Sequence, residues 1–249
     1  MAAFFTEGLC EGLRVAYAGS DGAEAARADL ADMEDLDRLL AEGAVRILSL
    51  QDLYGTGALD PERVVATYAA ATEEALADGF RGLRVSADLT ELVRLPAQQD
   101  ALARSEYLIT RYMAAHPLSG LCGFDLDLGS DTVTEFASLH GAEPSEQVAF
   151  QIFGCADGAL GLAGQFDPVG VATLARMLTR LRTEADTGAL VVDLAGVEYV
   201  DHRLLRALSG HARTNGVALS LRSAAPFATR LIRLLPESYP RLAEVGTEQ

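Results

Sequence analysis

The sequence contains no lysine, because all 20 of its basic residues are arginine. A P-loop of the G-x-x-x-x-G-K-[ST] type, a Schiff-base enzyme and a kinase-type ATP site each depend on a lysine side chain. These three classes of site are therefore excluded. The 3 cysteines, Cys10, Cys122 and Cys155, lie far apart and show no zinc spacing. Their number and spacing favour a reducing compartment over a disulfide framework.

Long apolar runs are also missing, although 49% of the residues are hydrophobic. We expect neither a secretory signal nor a membrane span, and therefore a cytoplasmic protein without a membrane partner. The 36 acidic residues give a formal net charge of −16. An acidic surface repels phosphate backbones, so we expect no direct contact with nucleic acid. Dinucleotide fingerprints, zinc motifs and nucleophile elbows are absent from the sequence, and we expect no cofactor, no metal and no catalytic residue.

The first half of the chain alternates short apolar runs with helical patterns. The runs cover residues 13–18, 45–50, 83–87 and 121–124. Residues 2–13 are predicted to form a helix that leads into the first strand. The best-marked helix begins with Asp60 as N-cap and Pro61 in the first helical position, and its pattern ends at Gly79. This alternation predicts a mainly parallel sheet covered by helices.

The second half has a different pattern, in the predicted order ββαβαβα. Alternating residues on either side of the turn at 156–158 predict a β-hairpin. Helices are predicted after Pro168, from about His202 to Ala212, and over 226–235; the other strands are predicted at 189–194 and 217–221. A polar segment with Pro144, residues 141–147, separates the halves, and we place the domains at 1–142 and 143–249. The fold class is therefore α/β in both domains, the second a small mixed sheet with helices on one face.

The second half resembles a STAS domain, the family of anti-sigma-factor antagonists. The resemblance rests on residues 191–201, which end in Asp201, and on the helix that follows. The family places a phosphorylatable serine at the start of that helix, whereas this sequence has His202 and Arg203 there. The resemblance implies binding to a regulatory protein, either an anti-sigma factor or a switch kinase, through Asp201, His202 and Arg203. Because His202 has no hydroxyl group, we expect no switching by a serine kinase.

The first half resembles the MEDS domain, a sensory module of methanogens and methylotrophs that is related to RecA-type ATPases. The matching stretches are residues 7–9, 54–60, 83–88, 105–107 and 121–125. The resemblance implies a RecA-like parallel sheet with helices on both faces, and a small-molecule ligand. Family members generally begin with an additional strand carrying a His and a Cys, and we expect this chain to lack that strand.

Candidate ligand-binding residues lie where the predicted strands end, because ligands of open parallel sheets bind beyond the carboxyl ends of the strands. One strand supplies Ser86 and Asp88, the next supplies Cys122 and Asp125, and the first supplies Ser20 and Asp21. Asp88 is also compatible with a simple turn or N-cap role, and Cys122 with a small buried apolar residue.

A further candidate pair combines Glu106 with Arg84. Glu106 shares the apolar stripe of Leu102 and Ile109 on a predicted helix, so its carboxylate needs a partner. Arg84, on a neighbouring strand, is the expected partner, either as a structural ion pair or as a pair that binds ligand. The ligand-binding candidates are therefore Arg84, Asp88, Glu106 and Asp125.

Three functions are compatible with these residues. The first is a non-enzymatic sensor whose STAS-like half reports by binding a protein. The second is a hydrolase of phosphoesters or nucleotides, in which Asp88, Glu106 and Asp125 hold a metal ion. The third is a structural assembly partner in a larger complex, for example a homodimer that closes the sheet edge left by the missing first strand.

Overall fold

The computed structural model describes residues 2–19, 23–55, 57–140, 148–183, 188–199, 202–222 and 242–243. The chain divides into two compact units, Met1–Ser130 and Asp131–Gln249. The boundary predicted between 142 and 143 lies outside the described residues and stays a prediction. The predicted first domain, residues 1–142, is longer than the first compact unit, because residues 131–140 group with the second unit.

The first unit is built on a four-stranded parallel sheet with the strand order β2-β1-β3-β4. Parallel strands need crossover connections, and helices supply them in this chain. The strands are β1 Arg14–Gly19, β2 Val45–Ser49, β3 Leu83–Asp88 and β4 Leu118–Gly123. The prediction for β4, residues 121–124, found its second half only. Its first half, Leu118-Ser119-Gly120, has too few apolar residues to mark a strand.

Helices connect these strands and cover both faces of the sheet. Their bounds are α1 Ala2–Cys10, α2 Ala23–Asp29, α3 Leu36–Ala41, α4 Leu50–Tyr54, α5 Pro61–Ala77, α6 Thr90–Val93 and α7 Pro96–Met113, with a 3₁₀ turn over Leu126–Leu128.

Helix α5 begins where the local sequence predicts it. The Asp60 side chain accepts hydrogen bonds from the backbone N–H groups of Glu62 and Arg63 at 3.1 and 3.2 Å, and Pro61 occupies the first turn. These contacts satisfy donors that a helix N-terminus otherwise leaves without partners. The N-cap prediction is confirmed.

Strand register assigns the side chains of β3 to two opposite faces of the sheet. Arg84 is level with Val15 and Ser119, and these residues share one face. On that face Val15 and Tyr17 pack in a core with Phe5 of α1 and with residues of α2. Val85 and Ala87 point to the other face, as does Cys122. Helices α5 and α7 pack against each other, and α5 also packs against β3 and α7 against β4.

The second unit contains a five-stranded mixed sheet in the order β5-β6-β7-β8-β9. The pair β5–β6 is antiparallel and the remaining pairs are parallel. The elements are α8 Ser130–Ala137, β5 Phe150–Gly154, β6 Leu160–Gln165, α9 Pro168–Leu181, β7 Ala189–Tyr199, α10 His202–Asn215, β8 Ala218–Arg222 and β9 Leu242–Ala243.

One face of this second sheet is buried. Alternate residues of β7, namely Leu190, Val192 and Leu194, are almost inaccessible to solvent. Helices α9 and α10 pack against each other, and α10 also packs against β8. The α/β class with a small mixed sheet in the second half is confirmed. The helix predicted over 226–235 lies outside the described residues.

Helix α8 is joined to α9 by a buried carboxylate. Glu135, which is 7% exposed, accepts hydrogen bonds from Arg176 Nε at 2.6 Å and Arg180 Nη1 at 2.8 Å. A buried carboxylate is tolerable when it is paired and hydrogen-bonded, as Glu135 is. Ser138, just after α8, accepts a hydrogen bond from the Ile152 amide of β5 at 2.7 Å. These contacts explain why residues 131–140 group with the second unit.

Candidate functional site

A cavity of about 650 Å³ lies at the carboxyl ends of β3 and β4 in the first unit. Its lining includes Ser86 and Asp88 from the end of β3, and Cys122 and Asp125 from the end of β4. Small-molecule pockets in proteins have volumes of roughly 300–1,000 Å³. Of the residues predicted at the strand ends, these four line one cavity. Ser20 and Asp21 lie outside the described residues.

The two loops that bear Asp88 and Asp125 are tied together by Thr90. The Thr90 amide donates to Asp88 Oδ1 at 3.0 Å, which closes a turn at the start of α6. The Thr90 hydroxyl accepts from the Asp125 amide at 3.0 Å. Asp88 therefore has the turn role that its position also suggested, and its carboxylate still lines the cavity. The bond from the Asp125 amide to the Thr90 hydroxyl joins the two acidic loops without using a carboxylate.

One arginine balances part of the negative charge at the cavity. Arg94 Nε lies 3.2 Å from Glu91, and Nη2 lies 3.4 Å from Asp127 and 3.8 Å from Asp125. The hydrogen bonds that Asp125 shares with Asp127, and secondarily the charge of Arg94, lower the pKa of Asp125. Asp125 therefore remains ionised at neutral pH and keeps its negative charge at the cavity wall.

Cys122 lies between the cavity and a buried polar cluster on the other face of the sheet. Its thiol points at Glu106 Oε2 across 4.0 Å, and Glu106 is 4% exposed. Close by, the hydroxyls of Tyr54 and Tyr68 are 3.2 Å apart. Burial, and then the charge of Glu106, raise the pKa of the Cys122 thiol well above its usual value. The thiol is therefore protonated at neutral pH and is a poor nucleophile.

Burial is also the largest cause of a raised pKa at both tyrosines. These phenols stay neutral and act as hydrogen-bonding groups in the interior. The prediction that Glu106 faces the core is confirmed. Glu106 is not among the residues that line the cavity.

Arg84 does not pair with Glu106, and that prediction is wrong. Its Nη1 donates to the backbone carbonyl of Phe4 at 2.9 Å, and its Nη2 donates to Glu11 at 3.1 Å. The guanidinium also lies 3.8 Å from Glu7 and 4.7 Å from the centre of the Phe4 ring. All these partners belong to α1 or directly follow it, whereas Glu106 is on α7, which packs on the opposite face. Arg84 is a structural anchor for α1.

Gly8 makes this anchoring geometry accessible. A β-carbon at Gly8 would lie 2.9 Å from Cδ of Arg84 and 3.1 Å from a methyl group of Val15. The absence of a side chain at Gly8 lets α1 approach the sheet closely enough for the Arg84 contacts to form.

In the second unit, the predicted partner-binding residues lie at the start of α10. His202 and Arg203 are exposed, and Asp201 lies outside the described residues. Tyr199, at the end of β7, is 62% exposed, and Val169, at the start of α9, is 60% exposed. Because β6 and β7 are parallel and Gln165 is level with Tyr199, both strands end at the same edge of the sheet. This edge displays the apolar residues Tyr199 and Val169 together with the start of α10.

Several residues near the two sites were not predicted. Thr90 begins α6 just after β3, and Arg94 follows that helix. A hydroxyl residue two positions after a strand-end aspartate is a recognisable turn signal. Tyr199 lies in a part of β7 that the prediction, which ended this strand at 194, did not include. The apolar pair Val197 and Tyr199 was the signal that the strand continues.

Comparisons with known proteins agree with this architecture. The first half is a sensory α/β domain: residues 1–141 match the family model described as "MEDS: MEthanogen/methylotroph, DcmR Sensory domain". This match covers more than half of the chain, and the chain belongs to the MEDS family. Residues 154–236 match the model described as "Mlab, STAS domain". No curated protein matches the chain.

The two family matches define a regulatory or sensory protein with a STAS interaction half. A helix long and apolar enough to cross a bilayer is not found in the part of the chain that the structure describes.

Proposed function

We propose that this protein is a non-enzymatic cytoplasmic sensor in which the cavity of the MEDS domain binds a small molecule. On this proposal the STAS half binds a regulatory protein, an anti-sigma factor or a switch kinase. The observation that carries the proposal is the cavity formed by Ser86, Asp88 and Asp125 at the strand ends. Ligand binding would act by biasing an equilibrium between arrangements of the protein, without turnover.

The surroundings of the acidic residues favour binding over hydrolysis. The rival hydrolase needs Asp88, Glu106 and Asp125 to converge on one metal ion. Glu106 instead points to Cys122 on the other face of the sheet. The Cys122 thiol, with its raised pKa, is also poorly suited to nucleophilic catalysis.

The sensing role can be tested with a variant that fills the cavity. Gly123 lines it, and a β-carbon there would have only ordinary contacts, 3.8 Å from the Ala87 carbonyl. Gly123→Leu should therefore fold and reduce the cavity volume. Gly120→Leu is the matched control, because Gly120 is on the same strand and points to the opposite face. A β-carbon at Gly120 would lie 4.0 Å from the Val85 carbonyl oxygen, so it too has room.

We expect at least one compound of a metabolite collection to raise the midpoint of thermal unfolding of the wild type and of Gly120→Leu, but not of Gly123→Leu. If no compound stabilises the control Gly120→Leu more than Gly123→Leu, the proposed sensing role is rejected. Hydrolysis of a nucleotide with Mg²⁺ or Mn²⁺ by wild type, lost in Gly123→Leu, would establish the rival enzyme.

We assign the partner surface of the STAS half to Asp201, His202 and Arg203. The exposure of His202 and Arg203 beside the apolar Tyr199 supports this assignment. A protein retained by the immobilised chain should bind His202→Asp/Arg203→Asp at least about tenfold more weakly than wild type. The control is Arg213→Asp, an exposed arginine in the last turn of the same helix. If Arg213→Asp weakens binding of that protein as much, the affinity depends on net charge and not on the start of α10.

A homodimer through strand β4 is a second candidate role. Among the described residues, β4 pairs with β3 alone, and its sequence carries no charge and no proline. Edge strands without such features tend to pair with another strand. Leu121, 39% exposed, lies at this edge. A dimer in light scattering that becomes a monomer in Leu121→Lys would support this role, and a wild-type monomer at all concentrations would reject it.

A further inference from the structure

Ser86 presents its hydroxyl to the cavity. Ser86 is 5% exposed and lines the cavity. Among the residues that the structure describes, no side-chain hydrogen bond of Ser86 to the protein is found. The Ser86 oxygen is not among the fully buried side-chain atoms that lack a partner, so it is accessible from the cavity and free to bind a group that enters. A polar group that enters the cavity would supply a hydrogen-bonding partner.

The charge of the lining indicates what that group is. Three carboxylates, Asp88, Glu91 and Asp125, line the cavity together with one guanidinium, that of Arg94. The lining therefore has a formal charge of −2, and Arg94 is itself engaged by Glu91 and Asp125. An anionic ligand would meet repulsion from this lining, whereas a cation would meet attraction.

The remaining walls are apolar or aromatic. The Tyr17 ring, Leu121 and Phe124 line the same cavity. Tyr17 donates its hydroxyl to Asp29 at 2.9 Å, which holds the ring in place. Aromatic rings and aliphatic groups accommodate a hydrocarbon, and the face of an aromatic ring attracts a cation. A bare hydrated metal ion would make no use of these walls.

We infer that the cavity binds a small organic ammonium ion, whose charged end donates hydrogen bonds to Ser86, Asp88 and Asp125 while its hydrocarbon part contacts Tyr17, Leu121 and Phe124. This inference rests on the proposed sensing role and specifies its ligand class. The Ser86 hydroxyl accepts one N–H group, and the two carboxylates accept others and balance the charge.

The test uses three probes of nearly equal shape: benzylammonium, benzyl alcohol and benzoate. Isothermal titration of the full chain at neutral pH should show binding of benzylammonium, with benzyl alcohol and benzoate weaker by about tenfold or more. Asp88→Asn and Asp125→Asn should each weaken benzylammonium binding about tenfold or more, and Ser86→Ala should weaken it by a smaller factor. The matched control Asp32→Asn removes an exposed carboxylate that does not line the cavity, and it should bind as wild type does.

The outcomes separate this inference from the sensing role. If benzoate or benzyl alcohol binds as tightly as benzylammonium, and Gly123→Leu abolishes that binding, the sensor remains and the ammonium class is wrong. Unchanged benzylammonium affinity in Asp88→Asn and Asp125→Asn overturns the assignment of the site. Failure of benzylammonium to bind at millimolar concentration rejects the ammonium class, and the metabolite screen then decides the sensing role. Displacement of benzylammonium by Mg²⁺ at equal concentration would identify a metal site instead.

Discussion

Replacing Arg84 by methionine tests whether this residue anchors α1 or binds ligand. The change keeps the aliphatic stem and removes the hydrogen bond to the Phe4 carbonyl, which contributes about 1.5–3 kcal/mol for a charged donor. Loss of the contact with the Phe4 ring removes about 0.5–1 kcal/mol. Glu7 and Glu11 are 71% and 57% exposed, so their ion pairs together contribute about 1 kcal/mol or less. We expect α1 to be destabilised by about 2–5 kcal/mol.

Hydrogen exchange measured by mass spectrometry reports this loss segment by segment, which suits a chain of two units that need not unfold in one step. Amides of α1 should exchange about thirtyfold faster or more in Arg84→Met. Arg46→Met, which removes an exposed arginine of β2 that pairs with Glu74 of α5, should change hydrogen exchange in α1 little. Benzylammonium affinity should be unchanged in both variants. Weakened binding with intact protection of α1 would refute the anchor role and restore Arg84 as a ligand-binding residue.

Three further predictions concern other parts of the molecule. Glu135→Gln loses charge-assisted bonds to two arginines of α9, and should destabilise the second unit by about 2–3 kcal/mol in chemical denaturation, discounted for partly exposed partners; a change below about 0.5 kcal/mol would contradict this. Arg222 lowers the pKa of Asp157 by hydrogen bonding, so the pair stabilises the β5–β6 hairpin at pH values above the ordinary aspartate pKa. This stabilisation is lost as the pH falls through the lowered pKa of Asp157, so the difference in stability between wild type and Asp157→Asn should shrink below about pH 4. A difference in stability that stays constant with pH would refute the linkage. At neutral pH, iodoacetamide should modify the exposed Cys10 much faster than Cys122, whose thiol pKa is raised; peptide mass spectrometry decides, and equal rates would contradict the buried environment of Cys122.

Features set by local chemistry were predictable from the sequence. The start of α5 depends on Asp60 and Pro61 alone, so neighbouring residues suffice to find it. The inward position of Glu106 follows from helical periodicity with Leu102, which is also local. The gathering of Asp88 and Asp125 at one cavity follows from the rule that parallel strands end at the same edge.

Features that depend on which element covers which face were not predictable from one sequence. Alternation along β3 shows that Arg84 and Val85 point to opposite faces, but it does not show that α1 covers one face and α7 the other. The predicted Arg84–Glu106 pair failed for this reason. The bond between the Thr90 hydroxyl and the Asp125 amide joins residues 35 positions apart, and no local pattern indicates it.

In the described part of the chain β4 has β3 as its one strand neighbour, and if the proposed dimer forms there, protein concentration would have a role in the proposed sensing. The carboxyl end of this strand supplies part of the cavity wall through Cys122 and Gly123. A second chain that paired with β4 would stiffen that wall, so self-association and ligand affinity would become thermodynamically linked. A cell could then adjust the sensor's threshold through the amount of protein it makes, without altering any residue of the binding site.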